Sequence, residues 1–233
     1  MLRFTAPAVA ALCLVATAAH AQTQSSPAFG PIVFSGQASV STDGMVRGIS
    51  ETNSHPQGIL TMQVADGPLY AGGLIKDIAT PDGADHQNDV FVGVKGPLAG
   101  FTWNAEAWFR DNAGATPGVQ QHFTEYQGDV SRTFGMTTAK IMVLYSPDFY
   151  AKTKESTWTE ATLAQKLTSQ WSVSAGYGHR STTPDKDYDG WNVGTTYNVL
   201  PKTALDVRFF TTNAQRYGTD YRPRLRFMLT QGF

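Results

Sequence analysis

The sequence predicts an all-β fold: a transmembrane antiparallel barrel of about 12 strands, with short periplasmic turns and longer extracellular loops. Three observations carry that prediction. Apolar and polar residues alternate with period two along most of the chain, and helical spacing is scarce. The connections between alternating segments are short and long in turn. The chain ends on an alternating strand that stops at Phe233.

The strands follow from the alternation. In 101–110, Phe101, Trp103, Ala105, Ala107 and Phe109 share one face, and Thr102, Asn104, Glu106, Trp108 and Arg110 the other. In 171–180, Trp171, Val173, Ala175, Tyr177 and His179 oppose Ser172, Ser174, Gly176, Gly178 and Arg180. The same rhythm places strands at 33–47, 58–65, 69–78, 89–95, 101–110, 121–130, 136–145, 157–167, 171–180, 190–199, 204–212 and 221–233. Short connections fall at Asp66-Gly67, 96–100, 131–135, 168–170 and 200–203. Long ones fall at 48–57, 79–88, 111–120, 146–156, 181–189 and 213–220.

A soluble β-sandwich has no reason to alternate its turns in this way, whereas a membrane barrel has tight turns on one side and longer loops on the other. In water the apolar faces would need a second layer, and no helices are spare to supply it. Facing lipid they need no cover, and ring closure removes the unpaired edges. Rings gather at the expected strand ends. Phe101, Trp171 and Phe233 fall on the periplasmic side, and Phe109, Tyr145, Trp158, Tyr177, Trp191 and Tyr221 on the external side.

The opening residues have the form of a secretory signal. Arg3 supplies the positive start, residues 7–18 are apolar and small, and Ala19-His20-Ala21 suits cleavage before Gln22. Residues 1–21 are therefore expected to be removed, leaving 22–233 as one barrel domain in the outer membrane of a Gram-negative bacterium. Cys13, the one cysteine, lies inside the signal, so no disulfide holds the mature chain. No stretch beyond the signal is apolar for the ~18 positions a membrane helix needs. Without Arg3 the chain carries 17 basic and 19 acidic residues and no basic tract, which argues against nucleic acid as a partner.

The stretch FSGQASVSTDGMVRGISETN, 34–53, resembles the opening of the TorF-type family of assumed porins, also called the Gcw_chp family. Thr42 to Ser50 occupy the positions of that family's S-D-Y-R-F-R-G-I-S pattern, with Arg47 matching its second arginine and Gly44 and Met45 departing from it. GPLYAGG, 67–73, resembles the next family piece. The resemblance implies an outer-membrane barrel with a channel role and brings no catalytic residues.

Charged side chains cannot face hydrocarbon, since an arginine at mid-bilayer costs about 2–4 kcal/mol in a barrel. Arg47, Glu106, Arg110, Lys140, Glu160, Arg180, Asp206, Arg208, Arg222, Arg224 and Arg226 are therefore expected to line the lumen, with Gly176, Gly178 and Gly194 leaving room beside them. Arg208, Arg222, Arg224 and Arg226 on adjacent strands would pair with Glu106, Glu160 and Asp206, form a stripe favouring anions, or do both.

Other chemistries have weaker support. Asp185, Asp187 and Asp189 before Gly190 read as half of a calcium loop, but Thr196 stands where a bidentate Glu is needed. They read as a solvated external loop, as do Asp82, Asp85 and Asp89. His179, Ser181 and Asn192 have the spacing of the outer-membrane phospholipase A family, but His179 is expected outward and Asn192 inward. His55, His86 and His122 lack metal-ligand spacing, and no phosphate-binding loop is present.

The expected function is therefore a porin passing small hydrophilic solutes by diffusion, not an enzyme and without cofactors. A structural or adhesive barrel lacking an open pore, and a barrel hydrolase, are the alternatives. The expected partners are outer-membrane lipid, lipopolysaccharide and the barrel assembly machinery. That machinery would read the last strand through Leu225, Phe227, Leu229 and Phe233.

Overall fold

The computed structural model describes residues 30–151, 153–184 and 186–233. The expected signal, 1–21, lies outside them. Twelve strands close into one antiparallel barrel, each paired with its sequence neighbour. They are β1 (Val33–Ser41), β4 (Gln57–Asp66), β5 (Leu69–Asp77), β6 (His86–Leu98), β7 (Phe101–Ala113), β8 (His122–Phe134), β9 (Thr137–Ser146), β10 (Ser156–Lys166), β11 (Trp171–Thr182), β12 (Tyr188–Leu200), β13 (Thr203–Thr212) and β14 (Arg224–Gly232). A separate two-stranded hairpin, β2 (Met45–Val46) and β3 (Ile49–Ser50), lies between β1 and β4.

The turns set the register. Ala99 and Gly100, joining β6 to β7, both have positive φ, at 50° and 80°. That is the turn whose twist matches two hydrogen-bonded strands. The ring closes where β1 meets β14, with Gln37 opposite Gly232 and Ser41 opposite Met228. Beyond the strand, the Gly36 N–H donates to the Phe233 carbonyl at 3.2 Å, and the Phe233 N–H to the Gly36 carbonyl at 3.0 Å. A Cβ on residue 36 would overlap the Phe233 ring, so glycine lets the last residue lie flat on the first strand.

Cross-strand partners share a face, so the register fixes which side chains point out. One outward row runs Val130, Ile141, Ala161, Tyr177, Trp191. Val130, Ile141, Tyr177 and Trp191 are all exposed, as are Val193, Phe209, Leu225, Phe227 and Leu229 elsewhere on the wall. A continuous apolar outer wall on a closed barrel is stable in hydrocarbon and costly in water. Exposed rings mark both rims. Phe34, Phe101, Phe134, Trp171 and Phe233 ring the short-turn end, and Phe109, Tyr126, Tyr145, Tyr177 and Trp191 the other. Trp158 and Tyr221 depart from the expected girdle. Trp158 is 3% exposed and points inward beside Tyr188, against which Tyr221 also packs.

The glycines expected to leave lumen space are filled. A Cβ at Gly178 would strike the Trp158 ring, one at Gly176 the Asn192 amide, and one at Gly194 the Arg208 stem. Gly93 meets Tyr70 and Gly72 meets Phe91 in the same way. Large inward groups thus lie down on the wall over cross-strand glycines instead of standing into the axis.

Candidate functional site

The first long connection does not stay outside the barrel. After β1 the chain turns inward, and residues 42–56 cross the lumen just inside its long-loop mouth. The β2–β3 hairpin forms the tip of this insert, and Arg47 and Gly48, both at positive φ, make its turn. Its base is knotted by hydrogen bonds. Ser50 Oγ donates to Asp43 Oδ1 at 2.6 Å, and the Gly44 N–H donates to Thr52 Oγ1 at 2.9 Å. Asp43, Ser50 and Thr52 are all buried.

The insert touches strands from around the ring. Arg47 pairs with Glu125 on β8. Arg110 on β7 pairs with the same carboxylate at 2.7 Å and also with Asp89 on β6. Two guanidiniums on two buried carboxylates are balanced, which is the condition under which charge tolerates burial. Glu51 holds Lys76 on β5 at 2.5 Å, and Asp43 lies 3.4 Å from Arg224 on β14. The Tyr188 hydroxyl on β12 donates to the Arg47 carbonyl at 3.1 Å. Ile49 packs on Leu144, Trp158, Tyr188 and Ala214. The Phe149 ring lies between two guanidiniums, 5.0 Å from that of Arg47 and 4.9 Å from that of Arg180.

Below the insert the lumen has two unlike walls. On one, Asn104, Glu106 and Asp129 line up across β7 and β8. Trp108 Nε1 donates to Glu106 at 2.7 Å, and Tyr70 bonds to Glu106 at 2.5 Å. Lys140 stands 3.2 Å from Asp129. On the other, Arg208 and Arg226 share one carboxylate, Asp206, at 3.0 and 2.7 Å. Arg208 also donates to Asn192 at 2.8 Å and to Ser174 at 2.9 Å. Lys95, opposite Asn104, and Lys140 offset the two carboxylates on the first side, while the second is net basic.

Comparison with known proteins places this barrel in a family. A family model described as "Bacterial protein of unknown function (Gcw_chp)" matches residues 24–231. The chain belongs to the Gcw_chp family. No curated protein matches it. Among solved structures it is similar to the KdgM porin at 8% identity and a TM-score of 0.57, over 86% of this chain and 98% of that one. It is similar to the NanC porin at 9% identity and a TM-score of 0.57, over 86% and 99%. It also resembles the COG4313 outer membrane channel from Pseudomonas putida F1 at 10% identity and a TM-score of 0.55, over 86% and 95%. These likenesses show the fold.

In this Gcw_chp barrel Glu106, Arg110, Lys140, Glu160, Arg180, Asp206, Arg208, Arg224 and Arg226 all point inward on strands. Two of the expected lining residues sit elsewhere. Arg222 is exposed and precedes β14, because the chain makes a 3-10 turn at Thr219–Tyr221 and the strand starts only at Arg224. Arg47 faces the lumen from the insert, because β1 ends at Ser41 and not at 47.

Of the expected ion-pair partners, Asp206 does take Arg208 and Arg226, whereas Glu106 and Glu160 pair with no arginine. Glu106 bonds to Tyr70, Asn104 and Trp108, and Glu160 to Trp158 and Thr162, while the arginines find Glu125, Asp89, Asp43 and Asp206. Asp89, expected in a solvated loop, lies in β6 at 3% exposure against Arg110.

The remaining candidates fall into place around the rim. Asp185 lies outside the described residues. Asp187 caps the Thr182 N–H at 2.7 Å, while Asp189 binds Tyr177, His179 and Asn213 on the outer face. Those two carboxylates therefore do not converge, and no metal-type cluster occurs among the described residues. His179 is outward and Asn192 inward, so the hydrolase constellation is split by the wall. Leu225, Phe227, Leu229 and Phe233 are all exposed on the outer face of the closing strand. The outer loops pack on one another through Ile78, Ala84, Ala115, Val119 and Tyr150. There the Tyr150 hydroxyl donates to Asp82 at 2.7 Å; burial, then the carboxylate, push its pKa up to about 12.

Proposed function

We propose that this barrel is an outer-membrane channel for passive diffusion of small hydrophilic solutes, with a preference for anions. The observation that carries the reading is the division of one closed wall into an apolar outside and a charged, partly exposed inside. The similarity to the KdgM and NanC porins supports it. The anion preference follows from Arg208 and Arg226 sharing one carboxylate, and from Lys95 and Lys166, which face the lumen with no ion-pair partner among the described residues. A non-catalytic role is favoured by the separation of His179 from Asn192.

Purified barrel in planar bilayers is expected to give stepwise current, with a reversal potential in a KCl gradient on the chloride side. Replacing both Arg208 and Arg226 with Gln is expected to move that potential toward zero. Absence of current above background rejects the channel reading.

The exposed row Leu225, Phe227, Leu229 and Phe233 supports a second part of the reading, recognition of the closing strand by the barrel assembly machinery. Deleting Phe233 removes the backbone pair to Gly36 and the ring that covers it. That variant is expected to accumulate less heat-modifiable barrel in the outer membrane, while the barrels that do form conduct as before. Normal yield in a membrane fraction would count against this role.

A further inference from the structure

The insert is placed where it can do more than fill space. Its tip lies level with Glu125, the fourth residue of β8, and Gly190, the third of β12, so it occupies only the long-loop end of the lumen. Its contacts are on β5, β8, β12 and β14, which stand on different sides of the ring. Below it, the inward residues of β9 to β11, such as Lys140, Thr162, Lys166, Ser172 and Ser174, are all partly exposed. Solutes entering from the loop side therefore meet the insert before they meet the charged walls.

We infer that residues 42–56 are the size-selecting element of the channel, a constriction held in place by Arg47 on Glu125 and Glu51 on Lys76. The inference rests on the channel reading and adds to it the part that decides which solutes pass. It treats the insert as fixed. Its anchors are largely buried ion pairs on separate strands, and Ile49 packs against the buried cluster of Leu144, Trp158, Tyr188 and Ala214, so the tip and the Glu51 arm are held to the wall.

The test uses the full mature barrel. The Gly44 carbonyl accepts from the Glu51 N–H at 2.7 Å, so replacing residues 45–50 by Asn-Gly closes the base of the insert with a two-residue hairpin turn. Liposome swelling with arabinose, glucose, sucrose and raffinose reads the size limit, and bilayer current reads the opening. The shortened variant is expected to conduct severalfold more than wild type and to admit sugars that wild type excludes. Equal conductance and an unchanged sugar limit overturn the inference while leaving the channel reading intact. No current from either protein overturns both.

Arg47→Ala covers the case in which the shortened variant does not fold. It leaves Glu125 paired with Arg110, and it too is expected to raise conductance and relax the sugar limit. A double cysteine variant separates a fixed constriction from a moving lid. A Cβ at Gly48 would lie 3.5 Å from the Gly190 Cα, and one at Gly190 3.7 Å from the Gly48 Cα, close enough for a cross-link, at the cost of a left-handed backbone at residue 48 that a cysteine adopts with strain. The Gly48→Cys, Gly190→Cys protein, oxidised, is expected to conduct as it does after reduction. Loss of current on oxidation that returns with reductant would show that the insert must move, and would overturn the inference.

Discussion

Glu125→Leu is expected to destabilise the folded barrel by about 3–5 kcal/mol, the range for removing one member of a buried ion pair. Glu125 is 2% exposed and is the carboxylate that Arg47 and Arg110 share. Without it, Arg47 loses its acidic partner and Arg110 keeps only Asp89. Arg47 would then carry an uncompensated desolvation penalty inside the barrel, and Arg110 would be compensated by one carboxylate in place of two. Urea unfolding of the barrel in micelles, followed by tryptophan fluorescence, measures the loss. Glu125→Gln retains an acceptor and should lose less. A midpoint for the Leu variant within error of wild type would refute the buried, shared pair. Arg47→Ala should be milder than either, because it removes a charge from the site without stranding one.

Ile141→Arg is expected to cost about 2–4 kcal/mol in a bilayer, the range for a basic residue near mid-membrane on the lipid face of a barrel. Ile141 is the fifth residue of the ten in β9 and is 55% exposed, between Val130 and Ala161 on the outer wall. Its neighbour Lys140 already faces inward, 3.2 Å from Asp129. Lys140→Arg should therefore be close to neutral. Adjacent positions given the same new side chain, with opposite results in reversible folding into lipid vesicles, would test the assignment of faces directly. Equal effects at the two positions would show that the outer wall does not meet lipid.

The strands were legible because a half-buried strand has to alternate, whatever lies on its two sides. The inward facing of Trp158 could also have been read there, and its place in the outer girdle was a misreading. Trp158 and Glu160 are two apart, so a carboxylate directed to the lumen required the indole to follow it. The insert was harder to see. Ser39, Ser41, Asp43, Met45 and Arg47 continue the spacing of β1, and period two cannot distinguish a strand that runs on from one that stops and folds inward. Asp43-Gly44 and Gly48 are the breaks in that run, and they mark the base and the tip of the insert. The partners of the arginines lay further out of reach. Glu125 meets Arg47 only because the insert folds into the lumen, and Asp206 meets Arg226 only through the β13–β14 register; no single segment contains either contact.

The crossing segment also has a consequence for how the chain reaches this state. Arg47 meets Glu125 across 78 residues, its carbonyl meets Tyr188 across 141, and Ser54 meets Arg224 across 170. Contacts of that span repay their loop-closure entropy only after strands from both halves of the chain have come together. An incomplete sheet cannot offer Glu125, Tyr188 and Arg224 to the same fifteen-residue stretch, 42–56, at once. Its full binding energy is therefore available only to the finished ring, so the segment that narrows the passage also works as an internal check that the twelfth strand has arrived.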